Sequence, residues 1–453
     1  MGRVALSSLR ARATTFGAYF LSVFCGAVLI GAFATLNSAG AGDVSDADAE
    51  RLLTMGSIVG GWGSAIVLFS LASTLTLIVA QRTAETSLLR SVGATPKQVR
   101  RLVLTESTLV TLLAVVLAAG PAWLIGEAIL ALLRNAEMLA DDVRGYGQPV
   151  ALAITGVVIT VVAYLAGRIA TRRVTRASVR ATQRSAAIEP QRMNRWRLAA
   201  GLLLIVGGVH LAVITMTVMA DEPDPIAPMS TAGPAGVLTT IGIATLSPLL
   251  LRWAAAGFGW VLAPFGVSGH LALHDLRARA QVLGTALAPI TIFTGISAGT
   301  AYLIAIDNQA SLGQVRTPEA EDVQLLNFVV VGMIALFAAI MVVNTLAAAV
   351  SARRQEFGRQ QLAGATRRQV QQMMLLEAGF LSGAGIVLGG IGALPMACSY
   401  SWVRQDSLVP DMGPWYFLAV AVIAAAVTIG ASVSLTRKAL APPALTLAAV
   451  QAV

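Results

Sequence analysis

The groups able to do chemistry are few, and they recur. Arg82, Glu85 and Glu106 return 271 residues later as Arg353, Glu356 and Glu377. Cations and carboxylates in this pattern make ion pairs and hydrogen bonds. They do not form a nucleophile, a metal cluster or an acid–base pair. Glu106 and Glu377 stand at the mouths of apolar segments, where pairing with nearby arginines or capping of backbone groups is expected, an anchoring role. His210, His270 and His274 are too scattered for a metal site. Cys25 and Cys398 lie in apolar surroundings, so neither a disulfide framework nor a thiolate metal site is expected. His210, inside an apolar span, reads as a packed or hydrogen-bonded residue, with a transport role as the alternative. Glu127 is expected to pair with Arg134, and Asn344 to hydrogen-bond between helices.

These residues belong to a longer repeat. Arg82 to Glu106 reads RTAETSLLRSVGATPKQVRRLVLTE, and Arg353 to Glu377 reads RRQEFGRQQLAGATRRQVQQMMLLE. Gly93, Ala94, Thr95, Gln98 and Val99 are also kept, as Gly364, Ala365, Thr366, Gln369 and Val370. Arg82 to Val92 has helical spacing. Gly93 suits the left-handed residue that closes a helix. Thr95 is then an N-cap with Pro96 at the first helical position and Gln98 completing a capping box, which Thr366 and Gln369 repeat. Each copy is expected to be a short amphipathic helix, a sharp Gly-Ala turn and a newly capped helix entering a membrane.

The composition demands that membrane. Of 453 residues, 56% are hydrophobic and 12% charged, and the mean hydropathy is +0.74. This is an all-α polytopic membrane protein. The net charge of +9 does not indicate nucleic acid, because the cations sit in short loops between apolar spans, where they set orientation.

Ten spans are expected, arranged as four, two and four. The first unit, 1–185, follows a basic amphipathic start with spans near 16–36, 56–80, 103–133 and 149–167. Gly120-Pro121 is expected to kink the third. A two-span connector, 186–267, has spans near 198–219 and 235–251, then an interfacial segment anchored by Trp253, Phe258 and Trp260. The second unit, 268–453, begins with ALHDLRARA at Ala272, matching ALSSLRARA at Ala5. Its spans lie near 285–306, 325–350, 374–400 and 415–435. Nearly all of the 32 Lys and Arg fall on one side if both termini are cytoplasmic, as the positive-inside bias requires.

With both copies of the motif in hand, the chain resembles the FtsX-like permease family, the membrane subunits of MacB-type ABC transporters. The motif ETSLLRSVGAT at Glu85, followed by Gln98, Val99 and Glu106, is its most specific part. The second copy is degenerate from Phe357 to Gln361 but keeps Gly364-Ala365-Thr366. The resemblance implies that each stretch carries a coupling helix docking on an ATPase. The residues so assigned are Arg82, Glu85, Leu89, Arg90, Gly93, Ala94 and Thr95, with Arg353, Glu356, Arg359, Gly364, Ala365 and Thr366.

The ATPase must be another chain, because the only lysines, Lys97 and Lys438, do not end a phosphate loop. ATP and magnesium are expected in that partner, in two copies per permease, and no cofactor in this chain. The segments after spans 1 and 7, about 20 residues each, are too short for a folded outer domain. That favours export of a hydrophobic or amphipathic compound, such as an antimicrobial peptide, antibiotic or lipid. The alternative is a mechanotransmission or signalling permease that controls an envelope enzyme or sensor without translocation.

Overall fold

The computed structural model describes residues 13–42, 92–135, 148–176, 193–220, 227–310, 339–347 and 353–449, with scattered positions between them. Among the described residues every regular element is helical, as an apolar chain in lipid must satisfy its backbone hydrogen bonds within each segment. Among the described residues, eight segments are long and apolar enough to cross a membrane. The predicted span at 56–80 lies largely outside the described residues, and of the one at 325–350 the second half is described, as an apolar helix over Ala339–Ser351. The chain divides into two compact units. One comprises Met1–Ala186 with Ser311–Phe337, the other Ala187–Ala310 with Ala338–Val453.

In the first unit, α1 (Ala13–Gly40) packs against both α2 (Pro96–Asn135) and α3 (Gln148–Arg176). Small residues set the approach: a Cβ on Gly31 would meet Ala122 and Leu152, and one on Gly126 would meet Thr35. Buried Tyr19 and Thr111 share a 2.7 Å hydrogen bond between α1 and α2. The opposite surfaces expose Leu113, Val116 and Leu124 on α2 and Val150 and Val157 on α3, the apolar cover that a bilayer supplies. Helix α2 runs unbroken through Pro121.

The second unit is built around α8 (Ala280–Ala310), whose middle is almost wholly buried. Its main partner is α10 (Arg367–Gln405). The connector helices α4 (Arg195–Thr217) and α5 (Ala227–Thr245), the latter starting and ending earlier than the span expected at 235–251, form a hairpin within this unit, and α5 packs on both α8 and α10. Helix α5 falls short of a span by hydropathy, and most of its residues are buried against protein instead.

Glycines make these contacts possible. A Cβ on Gly208 of α4 would lie 2.5 Å from the Ala235 carbonyl oxygen and 2.8 Å from the Thr239 nitrogen of α5. Backbone cannot yield as a side-chain end can, so Gly208→Ala is expected to force α4 and α5 apart at a cost of about 1–3 kcal/mol. A lowered unfolding midpoint of the purified chain would register it; an unchanged midpoint would show that the hairpin is not close-packed.

After Thr245 the chain forms α6 (Ser247–Phe258), a 3-10 turn (Gly259–Phe265) and α7 (Gly266–Ala278). This run passes the length and hydropathy test for a span, yet it is broken at Gly259 and at Gly266, whose φ is +58°. It exposes Trp253, Phe258 and Trp260, the aromatic pattern of a membrane interface. The second unit closes with α9 (Arg354–Leu362), α11 (Trp415–Ala439) and α12 (Ala444–Ala449).

Candidate functional site: two coupling tips and a buried ion network

The second copy of the repeated stretch is built as its residue types dictate. Helix α9 ends in a Schellman turn: the Ala365 N–H donates to the Gln360 carbonyl at 3.0 Å, and the Gly364 N–H to Gln361 at 3.1 Å. Gly364 holds φ at +102°, a left-handed conformation that side chains oppose. Thr366 then caps α10. Its hydroxyl accepts from the Gln369 N–H at 3.2 Å, and Gln369 Oε1 accepts from the Thr366 N–H at 2.8 Å.

The first copy repeats these values. Gly93 also has φ +102°. Thr95 accepts from the Gln98 N–H at 3.3 Å, and Gln98 accepts from the Thr95 N–H at 2.8 Å. Both tips are open to solvent: Val92, Gly93 and Thr95 are exposed in one copy, and Leu362, Gly364 and Thr366 in the other. Arg359 is exposed as well, whereas Ala94 and Ala365 are partly covered. Arg82, Glu85, Leu89 and Arg90 lie outside the described residues.

Behind the second tip is a network that joins three elements. Arg353, only 7% exposed, donates through Nη1 to both Glu377 oxygens at 2.7 and 2.8 Å. Its Nη2 donates to Asp275 Oδ2 at 2.5 Å, and its Nε lies 3.5 Å from Glu356 Oε2. Glu356 is held in turn by Arg279, whose Nη1 and Nη2 donate to its two oxygens at 2.5 and 2.7 Å. That fork geometry is among the stronger ion-pair arrangements.

Asp275 sits on α7, Arg279 caps it, Glu356 is in the first turn of α9, and Glu377 is on α10. Burial opposes the charge on Arg353, but Glu377, Asp275 and Glu356 outweigh it and hold its pKa above the ordinary value. The Arg353 guanidinium also lies 5.6 Å from the ring centre of fully buried Phe357. Ser268 of α7 donates to the Gln369 carbonyl at 3.4 Å, and α12 packs on α9. The tip is therefore fixed to α7, α10 and α12.

Four of the five charged positions of this network have like-charged equivalents in the first copy: Arg82, Glu85, Glu106 and Arg12. Asp275 does not; its place in ALSSLRARA is taken by Ser8. Glu106 is buried as Glu377 is, at 1% exposure. Asp275, Arg279 and the short helix α12 were not expected as parts of the site. The repeated RAR of ALHDLRARA was the one visible signal for Arg279.

The remaining polar candidates are dispersed. Glu127 accepts from Gln148 Nε2 at 2.6 Å rather than pairing with Arg134, because the start of α3 brings a buried amide beside it. His210 is exposed on the outer surface of α4, not packed inside a helix bundle. Asn344 is buried, at 8% exposure.

A profile of the FtsX-like permease C-terminal family matches residues 57–179 and 328–444, two segments that begin 271 residues apart and together cover more than half of the chain. The chain belongs to the FtsX-like permease family. No curated protein matches it. Membership makes it a membrane permease subunit of an ABC-type system, associated with an ABC ATPase. Each matched segment of this FtsX-like permease contains one copy of the repeated stretch, and both matches omit α4 and α5.

Proposed function

We propose that this permease exports a hydrophobic or amphipathic compound, such as an antimicrobial peptide, antibiotic or lipid, using ATP hydrolysed with magnesium by a separate ATPase. The observation that carries the reading is the pair of exposed tips with matching caps, the second of them wired into the transmembrane helices through Arg353. Two tips suit two copies of the ATPase, docked on the side where both termini lie. Closure of the ATPases would press on 92–95 and 362–366. In the second unit the pressure would pass through Glu356 to Arg279 and the start of α8, and through Arg353 to Glu377 and α10.

The test uses the full chain with its ATPase in proteoliposomes. Export predicts that amphipathic compounds both stimulate ATP hydrolysis and leave the vesicles. Stimulation without movement would assign the protein to signalling. Transport that persists without any ATPase would refute the ABC reading.

A further inference from the structure

The first turns of α2 and the adjoining part of α3 frame a cavity of about 570 Å³. Lys97, Arg100 and Arg101 line its rim, Leu104 and Leu109 its wall, and Tyr164 contributes from α3. Lys97, Arg100 and Arg101 stand at i, i+3 and i+4 on one helical face. None of the three forms an ion pair among the described residues. Past Leu109 the helix surface continues as exposed Leu112, Leu113 and Val116. A cationic rim opening onto an apolar wall is the inverse of an amphipathic anion. Tyr164, 40% exposed, supplies the half-apolar ring typical of the headgroup level.

The second unit bears independently on this. A cavity of about 260 Å³ occupies the equivalent place, lined by Arg368 and Leu375, the counterparts of Lys97 and Leu104, and by Arg437 of α11. There Gln371 and Gln372 replace Arg100 and Arg101. The repeat has kept the groove and part of its charge: Arg368 and Arg437 come from two helices, whereas Lys97, Arg100 and Arg101 cluster on one helical face in the first site.

We infer that the first groove binds an anionic phospholipid, its phosphate held by Lys97, Arg100 and Arg101 and an acyl chain laid along Leu104 and Leu109. Guanidinium forks match phosphate oxygens, and basic pockets between membrane helices suit anionic headgroups. A free phosphate would use the rim and leave the wall bare. An acidic surface of the ATPase is the competing occupant of the rim, but it has no use for an apolar wall that continues along the span.

The experiment is photolabelling of the full chain in nanodiscs with a photoreactive phosphatidylglycerol, mapped by peptide mass spectrometry. Labelling is expected around 97–109. It should fall about thirtyfold in Arg100→Gln/Arg101→Gln, from loss of two cations near the surface. The reciprocal Gln371→Arg/Gln372→Arg should gain labelling around 368–375, which guards against a folding defect in the first variant. Equal labelling by a phosphatidylcholine probe, with no effect of either variant, would overturn the proposal. So would complete competition by inorganic phosphate, which would identify a soluble anion. Loss of labelling on assembly with the ATPase would assign the rim to the protein partner and overturn it equally.

Discussion

Arg353→Ala is expected to destabilise the second unit by about 3–5 kcal/mol, because it strands buried Glu377 and leaves Asp275 only the more distant Arg279, whose Nε lies 3.9 Å away. Glu377 is 2% exposed and Asp275 7%, so water cannot take over the role of the guanidinium. Arg353→Lys should rescue little: one ammonium cannot direct separate hydrogen bonds to Glu377 and Asp275 with the geometry of a planar fork. Asp275→Ser, which installs the serine found at Ser8, should cost less, about 1–2 kcal/mol. Arg353 would still hold Glu377. The unfolding midpoint of the purified chain and protease cleavage between 354 and 366 would measure both effects. A loss below about 1 kcal/mol for Arg353→Ala would show that the network is solvated and cannot transmit force.

Gly364→Pro is expected to separate ATP hydrolysis from transport while leaving the protein in the membrane. Proline fixes φ near −65°, whereas Gly364 requires +102°. It also removes the N–H that donates to Gln361. The tip would lose its turn, and the α10 cap would be re-aimed. Compound-stimulated hydrolysis should drop more than about tenfold, with ΔΔG of a few kcal/mol at the docking surface. Gly364→Ala should be milder, costing about 1–2 kcal/mol for the left-handed backbone. Gly93→Pro, at the same φ in the first copy, should behave like Gly364→Pro. Wild-type coupling in both proline variants would refute the docking assignment, and a defect in only one would show that the two tips are not equivalent.

The tips were legible in the sequence because their determinants are local. A glycine that needs positive φ and a Thr-x-x-Gln box act within four residues, and duplication displayed both twice. Pairing of Glu377 with an arginine was expected from its position at the mouth of an apolar run, and Arg353 supplies it; the burial of Glu106 and Glu377 was not. The network around Arg353 was not legible, since Asp275 lies 78 residues from its partner and no periodicity connects them. The packing of α4 and α5 was equally hidden. Their apolar character marked them as spans, but the Gly208 approach to Ala235 and the burial of α5 depend on which neighbours fold against them. Glu127 was assigned to Arg134 by nearness along the chain, and Gln148 reached it through tertiary structure instead.

Helix α10 runs unbroken from its Thr366 cap through Pro395 to Gln405. At 1.5 Å per residue it is roughly 58 Å long, about twice the hydrocarbon thickness of a bilayer. Near one end it is tied to the α7–α8 junction through Glu377, Arg353 and Asp275. At the other, Tyr400 and Arg404 donate to Asp307 of α8 at 3.0 and 3.2 Å. Two helices fastened at both ends behave as a braced lever. A tilt of about 10° around the middle of such a rod would displace each end by roughly 5 Å, so under the proposed function a stroke at the Gly364 tip would reach the Asp307 end at similar size.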